Sequence, residues 1–118
     1  MACYENSVNT SQGKRAKLFV CARNNSSYVD VSLRGQPGDT IMIRGYVELF
    51  LEEANNNDAW VEVAAHRPGL WADSRISGMN GRLYRNKHGI LVRVIAKIYS
   101  DANYKYLIDI ASTNAFER

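Results

Sequence analysis

The chain has few of the residues that fix a fold from outside its own core: two prolines, two cysteines and two histidines among 118 residues. Two cysteines fall short of the four or more that staple a small secreted domain, and Cys3 lies in a polar stretch, so Cys3 and Cys21 read as reduced thiols. No apolar run approaches the roughly 18 residues of a membrane span, and residues 1–17 contain no signal-peptide core. An intracellular chain is expected, in a cell's own cytoplasm or made there by a virus or phage, with no membrane partner.

Catalytic material is equally sparse. No C-x-x-C, H-x-H, G-x-S-x-G or phosphate-cradling glycine loop occurs. His66 ends an expected strand with no second ligand at metal spacing, and His88 falls in an expected turn. Glu52 and Glu53 are adjacent, so on a strand they point to opposite faces and cannot share a proton. The sequence therefore predicts no enzyme, no cofactor and no metal.

Helical periodicity is nearly absent, whereas period-2 alternation runs through most of the chain. The clearest stretch is 40–52, where Ile41, Ile43, Val47, Leu49 and Leu51 alternate with Arg44, Tyr46, Glu48 and Glu52. Gly45, inside it, predicts a bulge or bend. Further strands are expected at 17–23, 28–33, 59–66, 83–85, 90–99 and 104–110, joined by turns rich in Asn, Ser and Gly. The last three should form a meander. About seven antiparallel strands make an all-β domain at 17–118, either a β-sandwich or a small β-barrel, with an oligonucleotide-binding type of barrel among the topologies that fit.

Residues 1–16 are polar and predict a flexible N-terminal arm ending in Lys14 and Arg15. Residues 67–80 resist the strand pattern and predict one long loop, of the kind that is often functional. The same loop also suits a structural role in which Leu70, Trp71 and Ile76 plug one end of the domain.

Charge supplies the strongest pattern. The net charge is only +3, but residues 45–65 hold five acids and no base, whereas residues 66–97 hold seven bases and one acid. Segregation of this kind predicts a dipolar surface. Aromatic side chains interleave with the bases: Arg82 with Tyr84, and Arg93 and Lys97 with Tyr99, each on one strand face by the i, i+2 rule. Cations for phosphates beside rings for bases suit a single-strand binder. The expected nucleic-acid contacts are Arg82, Tyr84, Arg85, Lys87, Arg93, Lys97 and Tyr99, with Trp71 and Arg75 from the loop. Tyrosines and bases also occur on strand faces simply as good β-formers and solubilising charges. The rival expectation is a self-assembling or partner-binding β-sandwich, such as a homo-oligomeric viral or phage structural protein, using the same surfaces and an exposed Phe50, Trp60 and Trp71.

Overall fold

The computed structural model describes residues 2–36, 41–57, 59–72 and 78–118. It is all-β, with nine strands among the described residues: β1 (Ala2–Asn9), β2 (Arg15–Asn24), β3 (Tyr28–Gly35), β4 (Arg44–Ala54), β5 (Trp60–Ala72), β6 (Met79–Tyr84), β7 (Leu91–Tyr99), β8 (Leu107–Ser112) and β9 (Phe116–Glu117). They form two antiparallel sheets. One has the order β1-β2-β3-β6; the other has the order β5-β4-β7-β8, with β9 pairing β7 beyond the end of β8.

The alternation explains the layers. On β2 and β3 the inward positions are Leu18, Val20, Ala22, Val29, Val31 and Leu33; on β4 and β7 they are Val47, Leu49, Leu51, Val92, Val94 and Ile98, all buried. Burying one such aliphatic side chain contributes about 1.5–3 kcal/mol, so the apolar core between the two sheets is the main stabilising term. Gly45 faces this core, where a Cβ would lie 2.6 Å from Ile98 Cγ2 and 2.7 Å from the Tyr99 carbonyl oxygen. It is a point of close approach between strands; the register shifts of β4 against β5 come later, between Val47 and Leu49 and between Leu51 and Glu52.

Two seams join the layers. At one, the Asn6 side chain stands in for a ladder residue: its Nδ2 donates to the Ser112 carbonyl at 3.0 Å, and the Ser112 amide donates to its Oδ1 at 3.1 Å, linking β1 to β8. At the other, β5 packs over β6, where a Cβ on Gly81 would lie 3.1 Å from His66 Cδ2 of β5 and 2.7 Å from Leu49 Cδ1 of β4. Thr113 separates β8 from β9 and keeps the ladder continuous, its hydroxyl accepting from the Val94 amide while its own amide donates to the Val94 carbonyl.

Several sequence expectations change. The polar arm is instead β1, paired with β2 in register from Ala2↔Ala22 to Asn9↔Arg15. Only Val8 gives it a fully buried aliphatic anchor, so the strand carries almost no hydrophobic signal. This pairing sets Cys3 directly opposite Cys21, and the two form a disulfide rather than two free thiols. The expected loop begins as a continuation of β5 through Ala72 and ends inside β6, because Gly69–Ala72 pairs with Arg44–Val47 of β4. The meander is broken as well: β7 and β8 form the expected hairpin, but β6 joins β3 in the other sheet.

Candidate nucleic-acid interface

The structure separates the nine residues singled out by sequence. Trp71 is a core residue, 4% exposed and facing Gly45 across the β4–β5 ladder, so it is not a surface contact. Arg75 lies outside the described residues. Lys87 is exposed in the connection between β6 and β7.

Arg85, at the end of β6, turns back to the seam, where its Nε donates to Glu53 Oε2 at 2.7 Å and its Nη2 to Oε1 at 3.2 Å. Arg93, Lys97 and Tyr99 share the outer face of the five-stranded sheet, as alternation predicts. There Arg93 Nε donates to Glu52 at 2.7 Å, and its guanidinium lies 4.3 Å from the Trp60 ring centroid. Lys97 sits over Phe50 at 5.0 Å, and Arg67 pairs with Glu48 at 2.7 Å while lying 4.2 Å from the Tyr104 ring centroid. Tyr99 is pushed up from its ordinary pKa first by burial, then by the neighbouring Glu48 carboxylate.

The basic segment therefore folds onto the acidic one. Arg67, Arg85 and Arg93 meet Glu48, Glu53 and Glu52, so the segregation along the chain is spent on cross-strand ion pairs, and the expected dipolar surface does not form from these residues. On this outer face the rings of Phe50, Trp60 and Tyr104 each carry a cation from the same chain.

The outer face of the four-stranded sheet differs. The pairing registers set three cross-strand rows side by side: Tyr28 and Tyr84; Arg23, Asp30 and Arg82; and Cys3, Cys21, Ser32 and Asn80. Further along lie Phe19 and Arg34, then Lys17 and Arg15. Among the described residues the face holds Arg15, Lys17, Arg23, Arg34 and Arg82 against only Glu5 and Asp30. Arg23 and Arg34 are exposed and make no ion pair among the described residues. Lys17 meets Glu5 at 3.4 Å with both side chains about half exposed, a contact worth little in water.

Arg82 is the centre of this face. Its guanidinium lies 4.5 Å from the Tyr28 ring centroid and 3.4 Å from Asp30. Contact with the Tyr84 side chain, then the field of Tyr28, holds it more firmly charged than an ordinary arginine. Tyr84 leans against Tyr28 with centroids 5.5 Å apart and remains 62% exposed. Between these rows runs a groove of about 610 Å³, bordered by Arg23, Asp30, Arg82 and Tyr84, with His66 of β5 at its side.

Arg82 and Tyr84 are thus the two sequence-singled residues that this groove brings together. Arg23, Tyr28, Asp30 and Arg34 escaped the sequence reading, although the alternation of Lys17, Phe19, Cys21 and Arg23 and of Tyr28, Asp30, Ser32 and Arg34 was there to be followed. No group of three or more His, Cys, Asp or Glu side chains among the described residues is placed to hold a metal ion. Among the described residues no helix is long and apolar enough to cross a membrane. Comparison with protein-family models, with curated proteins and with solved structures returned no match.

Proposed function

We propose that the protein binds single-stranded nucleic acid across the outer face of the four-stranded sheet, without catalysing a reaction. The observation that supports this reading is the pairing of cations with an exposed ring: Arg23 and Arg34 meet no carboxylate among the described residues, and Tyr84 is 62% exposed in the row beside Arg23 and Arg82. Phosphates take the guanidiniums, and an unstacked base takes the Tyr84 ring at roughly 1–3 kcal/mol. Lys14, just before β2, and Lys87, beyond the end of β6, are exposed and add sequence-independent attraction.

Fluorescence anisotropy with a labelled oligonucleotide tests the reading. Neutralising three phosphates gives a slope of about −2 in log affinity against log salt for a single strand. Replacing Arg23, Arg34 and Arg82 together with alanine removes binding and leaves the fold intact, whereas no binding by the unmodified protein at low salt rejects the reading.

The disulfide bears on location. Disulfides persist in oxidising surroundings and are rare in the cytosol, so the Cys3–Cys21 bond favours a secreted, periplasmic or virion setting over the intracellular one. A second reading, self-association or binding to a protein partner as in viral and phage structural proteins, draws on Leu70, Leu107 and Ile110. Each is nearly half exposed on the outer face of the five-stranded sheet, beside aromatic and arginine side chains. Light scattering that finds a monomer at every concentration rejects its homo-oligomeric form.

A further inference from the structure

We propose that the groove selects guanine and that Asp30 is the residue that reads it; this rests on the outer face of the four-stranded sheet being the single-strand binding surface.

Asp30 is an anomaly on that face. A surface that served only to attract phosphates gains nothing from a carboxylate set between Arg23 and Arg82, because the acid repels the same phosphates its neighbours attract. Elsewhere in the molecule arginine and carboxylate close to 2.7 Å. Arg82 instead stays 3.4 Å from Asp30, whose side chain is 40% exposed. Its other partner is Asn25, whose Nδ2 donates to Oδ2 at 3.3 Å. The carboxylate therefore keeps accepting capacity directed at the groove, with a guanidinium on either side.

An ionised carboxylate only accepts hydrogen bonds, and a guanidinium only donates them. Their alternation along one row asks for a ligand edge with adjacent donors followed by acceptors. Guanine has that edge. Its N1–H and N2–H lie side by side and make two parallel bonds to a carboxylate, in the manner of an arginine. Its O6 and N7 accept from a guanidinium. Adenine and cytosine place a ring acceptor beside their one amine, which sets a lone pair against the carboxylate, and uracil flanks its single N–H with two carbonyls. Tyr84 lies one row away, two residues or about 7 Å along the strand, where its ring stacks the base being read.

The test uses the full chain and U-rich 12-mers that differ only in one central nucleotide, read by anisotropy at low salt. The expected result is binding about tenfold tighter with a central guanine than with adenine, cytosine or uracil. Inosine, which keeps N1–H and lacks the N2 amine, falls between. Asp30→Asn brings the four affinities within about twofold while leaving the all-U oligomer bound at least as well. The inosine comparison needs no variant, so the test stands even if Asp30→Asn folds poorly. Equal binding of all central bases by the unmodified protein, with a steep salt dependence, overturns the guanine assignment and leaves the binding face standing. Retention of the guanine preference by a folded Asp30→Asn protein overturns the role of Asp30. Absence of binding to every oligomer at low salt removes the binding face and the assignment with it.

Discussion

Glu53 and Arg85 hold each other through two parallel hydrogen bonds, Nε to Oε2 and Nη2 to Oε1, across the seam between the two sheets. Glu53 is on the inward face of β4 and is only 7% exposed. The Arg85 carbonyl in turn accepts from Arg118 Nη2. Arg118 is buried, and its Nη1 also donates to the carbonyls of Asn25 and Tyr28 at 3.1 and 3.3 Å. Burial lowers the Arg118 pKa from its ordinary value, with Glu53 acting in the opposite sense. One carboxylate therefore anchors a corner built from three distant parts of the chain.

Glu53→Gln leaves this corner without its negative charge while the partly buried Arg85 and the buried Arg118 stay beside it. The expected loss is a fall of roughly 5–10 °C in the thermal midpoint, followed by circular dichroism.

Removal of the disulfide is a second case. Cys3 and Cys21 are 18 residues apart in sequence, and closing a loop of that size in the unfolded chain contributes about 3 kcal/mol. Replacing both cysteines with serine is expected to cost about that amount in urea unfolding. An unchanged denaturation midpoint in the serine variant contradicts a bonded pair.

The β7–β8 turn carries a pH dependence of its own. Asp101 accepts from the amides of Asn103, Lys105 and Tyr106, and these bonds, the one from Tyr106 first, hold its carboxyl below the ordinary value of 3.8. They also fix Tyr104 at φ 54°, a conformation rare for a tyrosine, which sets its ring edge-on to Tyr46 and Tyr99. Because the folded-state value is the depressed one, this contribution is complete above 3.8 and is lost as the pH falls below it toward the folded value. Protection of the Lys105 and Tyr106 amides from exchange, taken relative to their unstructured rates at each pH, is expected to fall over that acid range in the native protein and to be low throughout in Asp101→Ala.

How far these features were legible in the sequence depends on what each one needed. Inward and outward positions of β4 and β7 follow from local alternation, and they were readable because Val, Ile and Leu fill most of the inward positions of both strands. β1 was hidden because Cys3, Glu5 and Ser7 face outward while Asn6 does its inward work through hydrogen bonds. The ion pairs were hidden for another reason. Opposite charges in consecutive segments read either as two patches or as one neutralised surface, and only the registers Glu48↔Lys97 and Glu52↔Arg93 decide between them. The groove needed the same information: Arg23, Asp30 and Arg82 come from three strands and are neighbours only through pairing.

The bonds between Asn6 and Ser112 span 106 positions, and those from Arg118 to Asn25 and Tyr28 span 93 and 90. The chain must pay the entropy of closing loops of that length before these contacts return anything, which places the molecule among slow folders of high contact order. During synthesis the β1–β2 hairpin can form early, yet its inner edge has no partner until β8 emerges. For that interval the nascent protein carries a bare strand edge and half a core, and its safety from wrong pairing rests on the polar residues that made β1 so hard to see.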